Sequence, residues 1–473
     1  MTVPFVKHRN SGAPPVSGRT LTRRSFKRTA RLIWVCALVT SVCASILGPA
    51  PAHAEPNCPP NIGYQPECQY RPFYTPPNPL PDGAPGDLIR TEHSRIALDP
   101  AGHGNYSGTG TRIMYQSTDG RGSPVAVSGT YIEPDRPWPG DGPRPLIAFA
   151  PWGQGLGDQC AISRLLSEGG LHFGGGLDFV LYFEAGFIAT MLDRGFALVI
   201  TDYQGTGTYG PPTTGIRVPT AHAVLDSARA AKKLPSTSLD PAGPVAFWGY
   251  GPGGSAAGAA VELAPSYAPE LNVVGAWVGA PIADPALALD YADGSLLVAT
   301  MGYALNAFIG AFPEAEQGLR QALTPRGVDF LQKTRYACID EAIIKFGFRH
   351  LQPYFIPDIH QMHASEPLKS ALAAQRLGSL KPSAPVQINI NRFDPLIPWV
   401  GARQLAADWC ALGADVDFWT NQQPPLLDKV GVNSMATYFV DGERGIQWIT
   451  DRFNGVSTTP NCDRLPPFEL PAG

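Results

Sequence analysis

Gly243-Pro244-Val245-Ala246-Phe247-Trp248-Gly249-Tyr250-Gly251-Pro252-Gly253-Gly254 is an apolar run that ends in a cluster of glycines and leads into an Ala-rich helical stretch, Gly253–Leu263. Buried strand, tight turn and helix make the frame of a G-x-S-x-G nucleophile elbow, whose sharp turn lifts a serine Oγ clear of the sheet edge. Here the frame is Gly249-Tyr250-Gly251-Pro252-Gly253, with glycine where the serine belongs. The next residue normally offers its backbone N–H to an oxyanion, and Pro252 has none to offer. A non-glycine residue at an elbow is strained by about 1–3 kcal/mol, so Gly251 is the stabilising choice once the strain serves no reaction.

The partners of such a serine follow it along the chain, acid first and histidine second. A candidate acid ends the apolar segment Ile388-Asn389-Ile390-Asn391-Arg392-Phe393-Asp394, just before a turn through Pro395 and Pro398. All nine histidines precede Asp394, the last being His363. Serine without a positioned base is a weak nucleophile, and this chain offers neither.

Outward from the elbow, strand-like and helical segments alternate. Val125–Glu133, Pro145–Pro151, Phe196–Tyr203, Val245–Trp248 and Val273–Val278 read as strands, and Thr220–Leu234 as a helix. That order specifies an α/β fold, a mostly parallel sheet with helices on both faces. After Pro281 the pattern turns helical, with Ala286–Phe312, Glu314–Leu323 and Ile339–Phe346 and no clear strand. The sheet pattern resumes with strand Val386–Ile390, helix Val400–Leu412, strand Val416–Trp419 and helix Met435–Phe453. The expected organisation is a secretion signal over 1–54, a Pro-rich arm over 55–90 and a first core part over 91–283. A helical cap over 284–380, a second core part over 381–462 and a Pro-rich tail over 463–473 complete it. A cap in that place roofs a pocket at the C-terminal ends of the strands.

The first 54 residues hold eight Lys/Arg and no Asp/Glu, an apolar run from Leu32 to Leu47, and Ala52-His53-Ala54 as a cleavage site. The apolar run is shorter than the roughly 20 residues of a membrane span. Arg23-Arg24-Ser25-Phe26-Lys27 resembles a twin-arginine signal. Export and cleavage near Ala54 imply a secreted or cell-envelope protein without an integral span. Removing eight basic residues from a chain with 36 Lys/Arg and 40 Asp/Glu leaves an acidic protein, which argues against nucleic acid as a partner. Six cysteines follow the signal: Cys58, Cys68, Cys160, Cys338, Cys410 and Cys462. In an exported chain they read as up to three disulfides, the preferred pairing being 58 with 68, 160 with 338 and 410 with 462. None has metal-ligand spacing, and no cofactor is expected.

Six segments together resemble the secretory lipase family, the lipase A-like α/β-hydrolases of actinobacteria and fungi. They are Phe73-Tyr74-Thr75-Pro76-Pro77 with Pro85-Gly86-Asp87-Leu88-Ile89-Arg90; Gly155-Leu156-Gly157-Asp158-Gln159-Cys160; Asp202-Tyr203-Gln204-Gly205-Thr206-Gly207; Trp248-Gly249-Tyr250; Arg392-Phe393-Asp394 with Ile397-Pro398; and Trp448-Ile449-Thr450-Asp451-Arg452-Phe453. The resemblance spans nearly all of 70–462 and implies an α/β-hydrolase fold with a helical cap. It also implies a lipase ancestor acting on acylglycerols. Family members carry Gly-Tyr-Ser-Gln-Gly-Gly at the elbow and a histidine shortly before the terminal helix. Gly251 and Pro252 depart from the first pattern, and Asn433 and Ser434 stand at the vacant histidine position. Only the acid, Asp394, carries over.

Other candidates have blander readings. Ser255 follows Gly253-Gly254 but sits about one helical turn, roughly 5 Å, beyond the elbow apex. His360 and His363 have i, i+3 spacing beside Asp358 but no third metal ligand in view, and His222 fits helix packing. The sequence therefore points to an exported lipase-family protein without ester hydrolysis that still binds acyl chains or another apolar ligand beneath its cap. One alternative is an active triacylglycerol lipase or esterase with a displaced nucleophile such as Ser255; another is a non-catalytic interaction protein of the cell envelope.

Overall fold

A computed structural model describes residues 72–468 apart from 102, 176, 177, 367 and 428. The signal segment, Cys58, Cys68, most of the arm and the last five residues lie outside the described residues.

Nine strands form one sheet: β1 (Leu88–Ser94), β2 (Gly108–Thr118), β3 (Pro124–Pro134), β4 (Leu146–Ala150), β7 (Ala197–Thr201), β8 (Pro244–Tyr250), β9 (Asn272–Gly279), β10 (Val386–Asn391) and β11 (Val416–Asn421). Their spatial order is β1-β2-β3-β7-β4-β8-β9-β10-β11. Pairing is antiparallel from β1 to β7 and parallel from β7 through β11. The central strands β4 and β7 are buried at every residue, as continuous apolar runs must be when helices cover both sheet faces. This is the α/β-hydrolase arrangement expected from the elbow and its neighbours.

The helices Arg217–Lys232 and Pro252–Tyr267 pack on the sheet and on each other, and Trp399–Ala411 and Val432–Phe453 flank its C-terminal half. Between β9 and β10 the chain forms helices and 3₁₀ turns, with no strand among the described residues. The helical pattern over Ala286–Phe312 is two helices, Pro285–Ala292 and Thr300–Ala311, because Asp293-Gly294-Ser295 interrupts it with Gly294 at φ 67°. Sequence periodicity also overlooks β1, β2 and a hairpin of β5 (Leu171–Gly175) and β6 (Asp178–Leu181). The expected arm over 55–90 overlaps β1, whose polar Arg90-Thr91-Glu92-His93 hides an edge strand that only its pairing with β2 reveals.

Two disulfides tie distant segments together. Cys160–Cys338 joins the loop after β4 to the helical segment between β9 and β10, and Cys410–Cys462 joins helix Trp399–Ala411 to the C-terminal tail. Both are pairings that the sequence suggests.

Candidate functional site

β8 lies between β4 and β9 and runs straight into Gly251, which adopts φ 59° and ψ −123°. The sharp strand-to-helix turn is thus intact. Gly253 and Gly254 make it possible, since a Cβ on Gly253 would sit 2.2 Å from Ala150 O and one on Gly254 2.1 Å from Gly279 O. Gly251 N–H donates to Gly279 O at 2.9 Å, holding the apex against β9. Pro252 is the first residue of the helix, so the amide that should face an oxyanion is missing.

What occupies the apex is an indole. A Cβ built on Gly251 would meet Trp152 Cζ3 at 2.5 Å and Cε3 at 2.7 Å. Trp152 belongs to the loop after β4, which normally supplies the second oxyanion N–H of such folds. Its own N–H is spent on Glu184 Oε2 at 2.9 Å. The ring stacks on Tyr250 (centroids 6.1 Å apart, 20° between planes), and Tyr250 stacks on Tyr438 at 4.2 Å. Glu184 is fully buried and accepts a further bond from Tyr438 Oη at 3.0 Å. Burial pushes its carboxyl up to about 8, against the lowering effect of its donors.

Across from the apex, Asp394 is buried in the turn after β10. Its Oδ1 accepts the amides of Leu396 and Ile397, both at 2.9 Å, and the Ser434 hydroxyl. Its Oδ2 has no protein donor among the described residues. Burial raises this carboxyl to about 6 even though all three bonds pull it down. Of Asn433 and Ser434, only Ser434 reaches the acid. Asn433 instead ties down the preceding loop, accepting from Leu426 N and donating to Gln423 O and Pro424 O. Tyr250 Oη donates to Ser434 O at 2.5 Å, so the aromatic stack and the acid turn are joined.

Next to the elbow lies a cavity of about 210 Å³, lined on the core side by Trp152, Pro252, Ser255, Leu396 and Ile397, and on the other by helices between β9 and β10. Leu289, Leu297, Met301, Phe308 and Leu372 are among its apolar walls. Ser255 Oγ accepts Ile282 N–H at 2.8 Å and donates to Gly251 O at 3.3 Å, and no histidine lines the space among the described residues. His222 stacks on Tyr267 at 3.7 Å and bonds Thr118, a packing role on a different part of the molecule. Asp358 caps the short helix Ile359–His363 through Gln361 N. The side chains of His360 and His363 lie outside the described residues.

Trp152 and Glu184 are the residues that sequence reasoning missed. A bulky aromatic directly after a central strand, in Pro151-Trp152-Gly153-Gln154-Gly155, is the one signal that could have suggested what fills the serine's place.

An elbow turn between parallel strands, an acid after β10 and a helical segment above them define a protein of the α/β-hydrolase class. Residues 178–461 match the Secretory lipase family, and the chain belongs to that family. It is 26% identical over 389 residues to a probable inactive lipase of Mycobacterium tuberculosis, covering 82% of this chain and 83% of that one. It is 27% identical over 403 residues to a secreted triacylglycerol lipase of Malassezia globosa, covering 82% and 80% of the two chains. In three dimensions the fold resembles Candida antarctica lipase A in its closed state, with a TM-score of 0.70 at 20% identity over 84% and 89% of the chains.

Proposed function

We propose that this secretory lipase family member is exported, has lost ester hydrolysis and binds an acyl chain or similar apolar ligand in the cavity beside its elbow, with residues 284–380 as the cap. The observation that carries the loss is the Trp152 indole in the space of a nucleophile's side chain. Three further features support it: Pro252 has no N–H, Trp152 N–H is engaged by Glu184, and a hydroxyl rather than an imidazole faces Asp394. Removing these polar groups leaves an apolar cavity in place, which is the surface a chain-like ligand needs.

Catalysis through Ser255 has little support. Its hydroxyl is engaged on both sides, and a serine needs an adjacent base to become a nucleophile. Hydrolysis of short p-nitrophenyl esters by the purified protein tests the first half of the proposal: turnover no faster than the heat-killed control is expected, and saturable turnover overturns it. Mass spectrometry of an organic extract tests the second half, with co-purified fatty acyl species the expected finding. An empty cavity that added fatty acids fail to fill contradicts it.

A further inference from the structure

Resting on the reading that the cavity holds an apolar ligand, we infer that the ligand is an anionic amphiphile, a long-chain carboxylate, whose head is taken by Arg217. Among the described residues, Arg217 is the only charged one lining the cavity, with no Asp, Glu or Lys beside it. It is the first residue of helix Arg217–Lys232, and its N–H donates to Gln375 Oε1 at 3.0 Å. The residues Thr214, Gly215, Ile216 and Thr220 line the same end, so the positive end of the helix dipole adds to the guanidinium there.

The guanidinium is not fully spent by its partner. Glu262 lies behind it, buried and outside the lining, and accepts from Arg217 Nε at 3.2 Å and Nη2 at 2.6 Å through Oε2. Oε1 of the same carboxylate takes Gly378 N–H at 2.7 Å and Trp409 Nε1–H at 2.8 Å. Two neutral donors thus share the work of stabilising Glu262. Nη2 also reaches Ser379 Oγ at 3.3 Å, while Nη1 has no partner among the described residues. A guanidinium anchored on one edge and open on the other is set to bind a carboxylate. A neutral ester has no comparable claim on it. Where a hydrolase would bind an ester and release an acid, this cavity is built for the acid.

The test is calorimetric titration of delipidated protein with dodecanoate, 1-dodecanol and dodecylammonium, each below its micelle concentration. Charge-assisted hydrogen bonds predict that dodecanoate binds about tenfold to a hundredfold tighter than the alcohol, with the ammonium weakest. In Arg217→Gln the preference for dodecanoate over dodecanol disappears. If Arg217 serves only as the ion-pair partner of Glu262, the substitution lowers stability and leaves that ratio untouched, which overturns the inference. Equal binding of all three ligands by the native protein overturns it without any variant. Leu289→Trp, which fills the cavity, abolishes dodecanoate binding; persistence places the ligand elsewhere and also overturns the inference. If none of the three ligands binds, the underlying reading of the cavity as a ligand site fails first.

Discussion

At the elbow, the Trp152 indole comes within 2.5 Å of where a Cβ on Gly251 would lie, and its backbone N–H is bonded to Glu184. At the acid turn, Asp394 takes two amide donors and the Ser434 hydroxyl, and one carboxylate oxygen stays buried without a protein donor among the described residues. The space at the elbow is closed by packing, whereas the second carboxylate oxygen at the turn stays unpaired among the described residues. On the proposed reading, the filled space makes the change at the elbow sterically hard to reverse, whereas burial raises the Asp394 carboxyl toward its neutral form against the pull of its three donors. Substituting Gly251 and Asp394 is therefore expected to change stability in opposite directions.

Gly251→Ser is the largest expected effect. The new Cβ meets Trp152 and takes φ 59°, and strain plus overpacking predict a loss of about 2–5 kcal/mol with no gain in esterase activity, read by urea unfolding and p-nitrophenyl ester assays. Adding Trp152→Ala recovers part of the loss, because the two side chains compete for one space. A single variant as stable as the native protein breaks the steric half of the comparison.

Asp394→Asn works in the other direction. Burial pushes the folded-state carboxyl up to about 6 from its ordinary 3.8, so the native state holds its proton to higher pH than the unfolded chain does. This group's contribution to stability is then fully present below about pH 4 and is lost as pH rises through about 6. Asparagine does not titrate, so the variant is expected to be more stable than the native protein by up to about 3 kcal/mol at pH 8, the difference vanishing near pH 4. Thermal melts across that range check the sign.

Ser434→Ala sharpens the same point, since its hydroxyl pulls the acid's titration down. Its removal costs about 2 kcal/mol where Asp394 is charged and less where it is neutral, so the destabilisation grows from pH 4 to pH 8. Smallest is Ser255→Ala, which removes the contact to Ile282 N–H and costs about 1 kcal/mol. Loss of a measurable esterase activity in that variant contradicts the elbow account.

Much of the frame was legible because it is written in local pattern. The buried runs of β4, β7 and β8, the glycines of the turn and Asp394 after β10 each follow from a few adjacent residues. The edge strands β1 and β2 were not, since their polar faces need a partner strand to be recognised. Nor was the filling of the serine's space. Residues 152 and 251 meet only once β4 and β8 are paired, and Glu184 reaches Tyr438 only when the final helix docks. Vacancy at the elbow can be read from one glycine, but its occupant depends on the packed fold.

Reaction of the native protein with a fluorophosphonate, followed by peptide mapping in a mass spectrometer, tests the central claim most directly. The account predicts no adduct on any residue above the heat-killed control, including Ser255 and Ser434. A stoichiometric adduct on either serine, dependent on the folded state, contradicts it.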